Sequence, residues 1–127
     1  MLINENYIEW VEYATADLVA AKYLATMQNP LIEIVCYHCQ QCAEKMLKGF
    51  IIYNDIEPKR IHDLTILCKE CEKLDSAFQD VYEMCEILTE YVANTRYPSK
   101  IELIEYDMKE AIKFAIEIKE FVTNMMK

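Results

Sequence analysis

The sequence holds one glycine and three prolines in 127 residues. Two-residue hairpin turns need the positive φ that glycine supplies, so this scarcity argues against many-turned all-β folds and glycine-rich phosphate loops. No apolar run reaches the roughly 18 residues of a membrane-spanning helix. The first ten residues, MLINENYIEW, show no basic stretch followed by an apolar one. A signal peptide is therefore not expected, and a cytoplasmic location without membrane association is. Basic residues are in deficit: 13 Lys and Arg stand against 22 Asp and Glu, a formal net charge of −9. Such a field favours solubility and repels nucleic acid, so any contact with RNA or a nucleotide requires a local basic patch.

Apolar residues make up 54% of the chain and charged residues 28%, which excludes a disordered tail. The length fits one domain over residues 1–127, large enough to bury roughly two-thirds of its unfolded surface. Five segments repeat apolar residues every three or four positions, the signature of amphipathic helices. The first runs from Tyr7 through Val11, Ala14, Leu18 and Ala21 to Ala25, with Asn4 or Asn6 as its cap. The second runs from Val35 through Cys39, Cys42, Met46 and Gly49 to Tyr53, with Asn29-Pro30 as its start and Asn54-Asp55 as its end. The third is short, Leu64 to Leu74, capped by Asp63. The fourth carries Phe78, Val81, Cys85, Leu88 and Val92 and starts at Ser76. The fifth runs from Ile101 to Met125, with Ser99 and Glu102 resembling a capping box. Short connections between long helices predict an all-α, up-and-down four-helix bundle with one additional short helix.

Six cysteines include the spacings Cys36-x-x-Cys39-x-x-Cys42 and Cys68-x-x-Cys71, which look like zinc pairs. Both sets fall inside helices, in phase with the apolar positions, and no turn is available to fold four ligands round an ion. They read as core thiols, and no metal or cofactor is expected. The lone glycine, Gly49, lies on the apolar stripe of the second helix, where it costs about 1 kcal/mol against alanine. A close helix crossing is the expected reason. That helix also carries a polar stripe, His38, Gln41, Lys45 and Lys48, with Glu44 beside it. Lys59, Arg60 and His62 follow in the next loop, and Arg96 and Lys100 lie between the fourth and fifth helices. Brought to one end of the bundle, these would form a phosphate-holding patch; left apart, they are scattered surface charge.

YHCQQCAEKMLKGFI (37–51), IHDLTILC (61–68), NTRYPS (94–99) and WVEYATADLVAAKYL (10–24) together resemble the HEPN domain family. The resemblance covers nearly the whole chain. It implies a helical bundle that pairs as a homodimer. It also implies association with nucleotides or RNA, or with a minimal nucleotidyltransferase partner of toxin–antitoxin type. Position by position it singles out Asp17, Gln41, Glu44, Lys45, Lys48, His62, Asp63, Arg96, Tyr97 and Pro98. Gln41, Lys45, Lys48, His62, Asp63, Arg96 and Tyr97 are then the expected nucleotide- or partner-binding residues. Asp17, Glu44, Gly49 and Pro98 are the expected structural ones.

Ribonucleases of the family carry Arg followed four to six residues later by His. Here Arg60 stands two positions before His62, and no histidine follows Arg96. Without a positioned imidazole, a general acid–base contribution of roughly 10² to 10⁴ in rate is missing. The leading expectation is a non-catalytic module. His62 and Arg96 are the candidates for a rearranged ribonuclease site, and a purely structural interaction subunit is the third reading. Homodimerisation is also expected from surplus apolar residues on the first and fifth helices: Trp10, Val19, Ile112 and Ile116.

Overall fold

The computed structural model describes residues 5–94 and 102–127. Every regular element among the described residues is a helix, with α1 at Tyr7–Ala25, α2 at Ile32–Tyr53, α3 at Leu64–Leu74, α4 at Tyr82–Asn94 and α5 at Glu105–Met125. A 3₁₀ segment, Ser76–Val81, leads into α4. The five helices match the expected architecture.

Helix α2 is the hub. It packs against α1, α3, α4 and α5, and its most extensive partner is α1. Its sequence shows why: 13 of its 22 residues are buried, so it is apolar on more than one face. Phe78 sits at the centre of the core, 4.6 Å from the Phe50 ring and 5.1 Å from the Phe121 ring. All six cysteines are buried, and Cys68 and Cys71 donate to the backbone carbonyls of Phe78 and Leu47. They serve as small core side chains, as their helical phase predicts.

Gly49 lies where α1 crosses α2: a Cβ there would stand 3.3 Å from Trp10 Cβ. The close-crossing expectation holds. Helix α2 ends as foreseen at Asn54. The Asp55 N–H bonds the Ile52 carbonyl and the Ile56 N–H bonds the Ile51 carbonyl, with Asp55 at φ 60°. This is a Schellman ending in which aspartate takes the left-handed position usually given to glycine. It turns the chain sharply, so that residues 56–62 run back beside α2.

Three expected helix starts differ. Helix α2 begins at Ile32, not at Asn29-Pro30, because the Ile32 N–H closes a tight turn onto the Pro30 carbonyl and Leu31 accepts the first helical bond from Val35. The cap before the 3₁₀ segment is Asp75, whose carboxylate accepts from the Ala77 N–H, not Ser76. Helix α5 begins at Glu105, after Glu102; Asp107 reaches back to accept from the Ile104 N–H at 2.8 Å. Asn6 occupies the α1 cap position but makes no side-chain cap bond. Asn4 and Ser99 lie outside the described residues. Asp63 caps α3 as expected, accepting from the Thr65 N–H at 2.8 Å. No described helix is long and apolar enough to cross a membrane.

Candidate functional site

The polar stripe of α2 is organised around two carboxylates. The first is Glu44, which is 4% exposed. One turn along the helix, Lys48 Nζ donates to Glu44 Oε2 at 3.1 Å, and Lys48 is itself buried. From the loop before α3, His62 Nδ1 lies 3.1 Å from both carboxylate oxygens. A carboxylate only accepts, so the His62 proton on this side is on Nδ1. Gln40 completes the cluster by donating to the His62 carbonyl at 2.7 Å, and Gln41 donates to Gln40 Oε1 at 3.0 Å. The His62 side chain is 72% exposed, so its ring is held by a buried acid on one edge and faces solvent on the other.

The second carboxylate is Asp17 of α1. It accepts from Lys45 and lies 2.9 Å from His38 Nδ1, and both partners come from α2. Lys45 also lies 5.9 Å from the Tyr13 ring centroid, a loose cation–π contact. Asp17 thus ties α1 to α2 by side chains spaced two turns apart on one helix face.

Sequence reasoning grouped His38, Gln41, Lys45 and Lys48 as one stripe. The structure divides them. His38 and Lys45 turn to α1, while Gln41 and Lys48 join the Glu44 cluster with His62. Neither half is the solvated face that a polar stripe most simply suggests. The Glu44–Lys48 pair is no exposed ion pair worth a few tenths of a kcal/mol, because both side chains are removed from water. Asp63 is occupied as a cap and points at its own helix. Arg96, Tyr97 and Pro98 lie outside the described residues, as does Lys100.

Beside the Glu44 cluster opens a cleft of about 470 Å³ between α1, α2 and the 55–60 loop. Trp10, Ile52, Ile56 and Pro58 give it apolar walls; Lys48, Lys59 and Arg60 bring positive charge, and Asp55 and Glu57 negative charge. Lys59 reaches out to Glu70 at 2.9 Å, and that partnership holds the Glu70 carboxyl below the usual carboxylate range. Arg60 has no ion-pair partner among the described residues. Trp10 and Gln40 are the site residues that sequence reasoning missed. The Trp10 position looked like surplus apolar surface, and only the Gly49 crossing shows what brings it to α2.

The thiols take no part in this site. Burial pushes Cys36 and Cys42 up to about 12, and Cys39 and Cys71 also well above the ordinary thiol value. Among the described residues, no three or more His, Cys, Asp or Glu side chains gather as a metal would require.

A sequence profile of the HEPN domain matches residues 7–125. Among solved structures, the chain is similar to ST0689, an archaeal HEPN homologue. The two are 29% identical over 95% of this chain and 98% of that one, with a TM-score of 0.77. TT1696 from Thermus thermophilus shares the fold at a TM-score of 0.79, with 24% identity over 94% of this chain and 97% of that one. No curated protein matches the sequence. With five helices in the arrangement of these relatives and a profile match spanning nearly all of it, the chain belongs to the HEPN domain family.

Proposed function

We propose that the protein is a non-catalytic HEPN module, working as a homodimer, that binds a nucleotide or the phosphates of RNA in the cleft beside Glu44. The observation that carries this reading is Arg60. It is a guanidinium without an ion-pair partner among the described residues, on a cleft whose apolar wall includes the chain's one tryptophan. Guanidinium grips phosphate through paired N–H donors, and an indole face offers a platform for a base. Lys48 adds less, since Glu44 already neutralises it.

Trp10 makes the test direct. Its fluorescence is titrated with nucleoside triphosphates and with a short RNA, for wild type and for Arg60→Ala. A saturable change that Arg60→Ala weakens by about 2 kcal/mol, the size of a lost charged hydrogen bond, supports the reading. No change with any of these ligands overturns it and turns attention to a protein partner, with a minimal nucleotidyltransferase the first to try.

One observation favours a second reading. Glu44 fixes the His62 ring while leaving its far nitrogen toward solvent, the arrangement of an oriented general acid or base. The RNA from the titration is therefore run on a gel. Cleavage that is lost in His62→Ala would establish a ribonuclease with a rearranged site, and intact RNA leaves the binding module.

A further inference from the structure

Helix α1 is drawn onto α2 at the Gly49 crossing and packs far less extensively on α5. On that looser side a groove of about 480 Å³ lies between α1 and α5, a size within the range of small-ligand sites. Its apolar lining is Leu18 of α1, which is buried, and Ile116 of α5, which is half-buried. Lys22 of α1 and Lys119 of α5 bring a positive charge from each helix. We propose that this groove binds a small organic carboxylate, one oxygen on each lysine, with its apolar body against Leu18 and Ile116.

The first support is that these two lysines are unspent. Lys45, Lys48, Lys59, Lys69, Lys73 and Lys109 each hold a carboxylate. Lys22 and Lys119 hold none among the described residues, in a chain with 22 Asp and Glu. Both charges also act on one place. Burial raises the Cys42 thiol, and Lys119, Lys45 and Lys22 oppose that rise while Asp17 adds to it. The fields of Lys22 and Lys119 therefore overlap. Two like charges on one groove repel each other, and an anion held by both turns that repulsion into attraction.

Charge also sets the ligand class. Glu120 stands on the same groove, so two ammonium groups and one carboxylate leave a single positive charge in excess. An organic carboxylate brings one negative charge, whereas a phosphate monoester brings about −1.5 to −2. Among the described residues no arginine lines the groove, so the paired N–H fork that suits phosphate is missing. Lysine is a point charge on a flexible stem, and one ammonium can meet each carboxylate oxygen. Ion pairs this open to water contribute little, so the apolar body carries much of the affinity and the lysines select the charge.

The groove is separate from the cleft beside Glu44. Lys22 stands twelve residues after Trp10 on α1, about 18 Å along the helix axis. Of the four residues read as surplus apolar surface, only Val19 is exposed, at 60%; Ile112 packs on the core, Trp10 lines the cleft and Ile116 lines this groove.

The test is a methyl NMR titration of the full chain, following the Leu18 and Ile116 signals. Hexanoate is the probe, hexanamide its neutral counterpart and inorganic phosphate the bare anion. The expected result is a saturable shift of both residues with hexanoate, and binding about tenfold weaker with hexanamide. A Lys22→Met, Lys119→Met variant keeps apolar stems and good helix formers, so circular dichroism should be unchanged. It should weaken hexanoate to the level of hexanamide, while Arg60→Ala leaves hexanoate binding as it was. No shift with hexanoate overturns the site. Hexanamide binding as tightly as hexanoate overturns the role of the lysines, without recourse to any variant. Phosphate moving the same methyls as tightly overturns the carboxylate class. Hexanoate binding that Arg60→Ala weakens would place the ligand in the cleft instead, and overturn the groove while sparing the proposed function.

Discussion

Glu44 shows most clearly what a single side chain does here. It is nearly free of solvent and has Lys48, His62 and Gln40 as partners. Taking a carboxylate and an ammonium out of water costs several kcal/mol for each ion, offset only while both are present and hydrogen-bonded. Glu44→Ala therefore leaves the Lys48 charge buried and alone, and should lower stability by about 3–5 kcal/mol in urea unfolding. A Glu44→Met, Lys48→Met double variant, apolar at both positions, should recover most of that loss while releasing His62 from its acid. A single Glu44→Ala that unfolds at the wild-type midpoint would mean that the pair is hydrated, and that His62 is not held. The sequence named Glu44, Lys48 and His62 separately, through helix spacing and a family pattern. It could not show that they converge, because the loop that brings His62 back depends on a left-handed Asp55. An aspartate in that conformation leaves a weaker mark in a sequence than the glycine expected there.

At the scale of elements, the helices were legible because their apolar residues keep a strict three-and-four spacing, and their starts were not. Asp63 is legible as a cap, since an acidic residue directly precedes an apolar repeat. Leu31 and Ile104 cannot cap with their side chains, so α2 and α5 begin where turns and Asp107 allow, without a local signal at the cap itself. Gly49 was legible as a crossing, and the structure adds the magnitude. A helix interior gains about 1 kcal/mol when alanine replaces glycine. Here the added methyl would meet Trp10 Cβ at 3.3 Å, an atom fixed to the α1 backbone, so relief requires the whole helix to shift. Overpacking of that kind costs about 1–3 kcal/mol. Gly49→Ala should therefore be less stable than wild type by about 1 kcal/mol in thermal or urea unfolding, against its helix propensity. It should also change Trp10 fluorescence in the folded state. An alanine variant more stable than wild type would show that the two helices have room to spare.

For the whole molecule, the core chemistry sets a limit on the alkaline side. The thiols at Cys36, Cys39, Cys42 and Cys71 are raised from an ordinary value of 9.0, chiefly by burial, with Cys36 and Cys42 reaching about 12. Tyr91 is raised as well, first by burial and then by its hydrogen bond to Glu110. In every case the folded protein keeps a proton that the unfolded chain gives up. Below pH 9.0, the ordinary thiol value, folded and unfolded thiols are both protonated and the full stability is present. Above it the unfolded chain ionises and is favoured, so stability falls as pH rises, until the folded thiols titrate near 12. Each such thiol contributes a slope of about 1.4 kcal/mol per pH unit. A domain with a few kcal/mol in hand should then lose its fold well before pH 12, with the net charge of −9 adding self-repulsion in the same direction. Urea unfolding at half-unit steps from about pH 7 to 11 measures the slope, with reductant present so that oxidation plays no part. Cys42→Ala lowers overall stability through its cavity, but it should also make the alkaline slope shallower by about one proton. That change of slope separates titration from packing. A profile that stays flat from about pH 9 to 11 would mean that the thiols are open to water in the folded state, and that the close-packed core around α2 is not what holds this fold together.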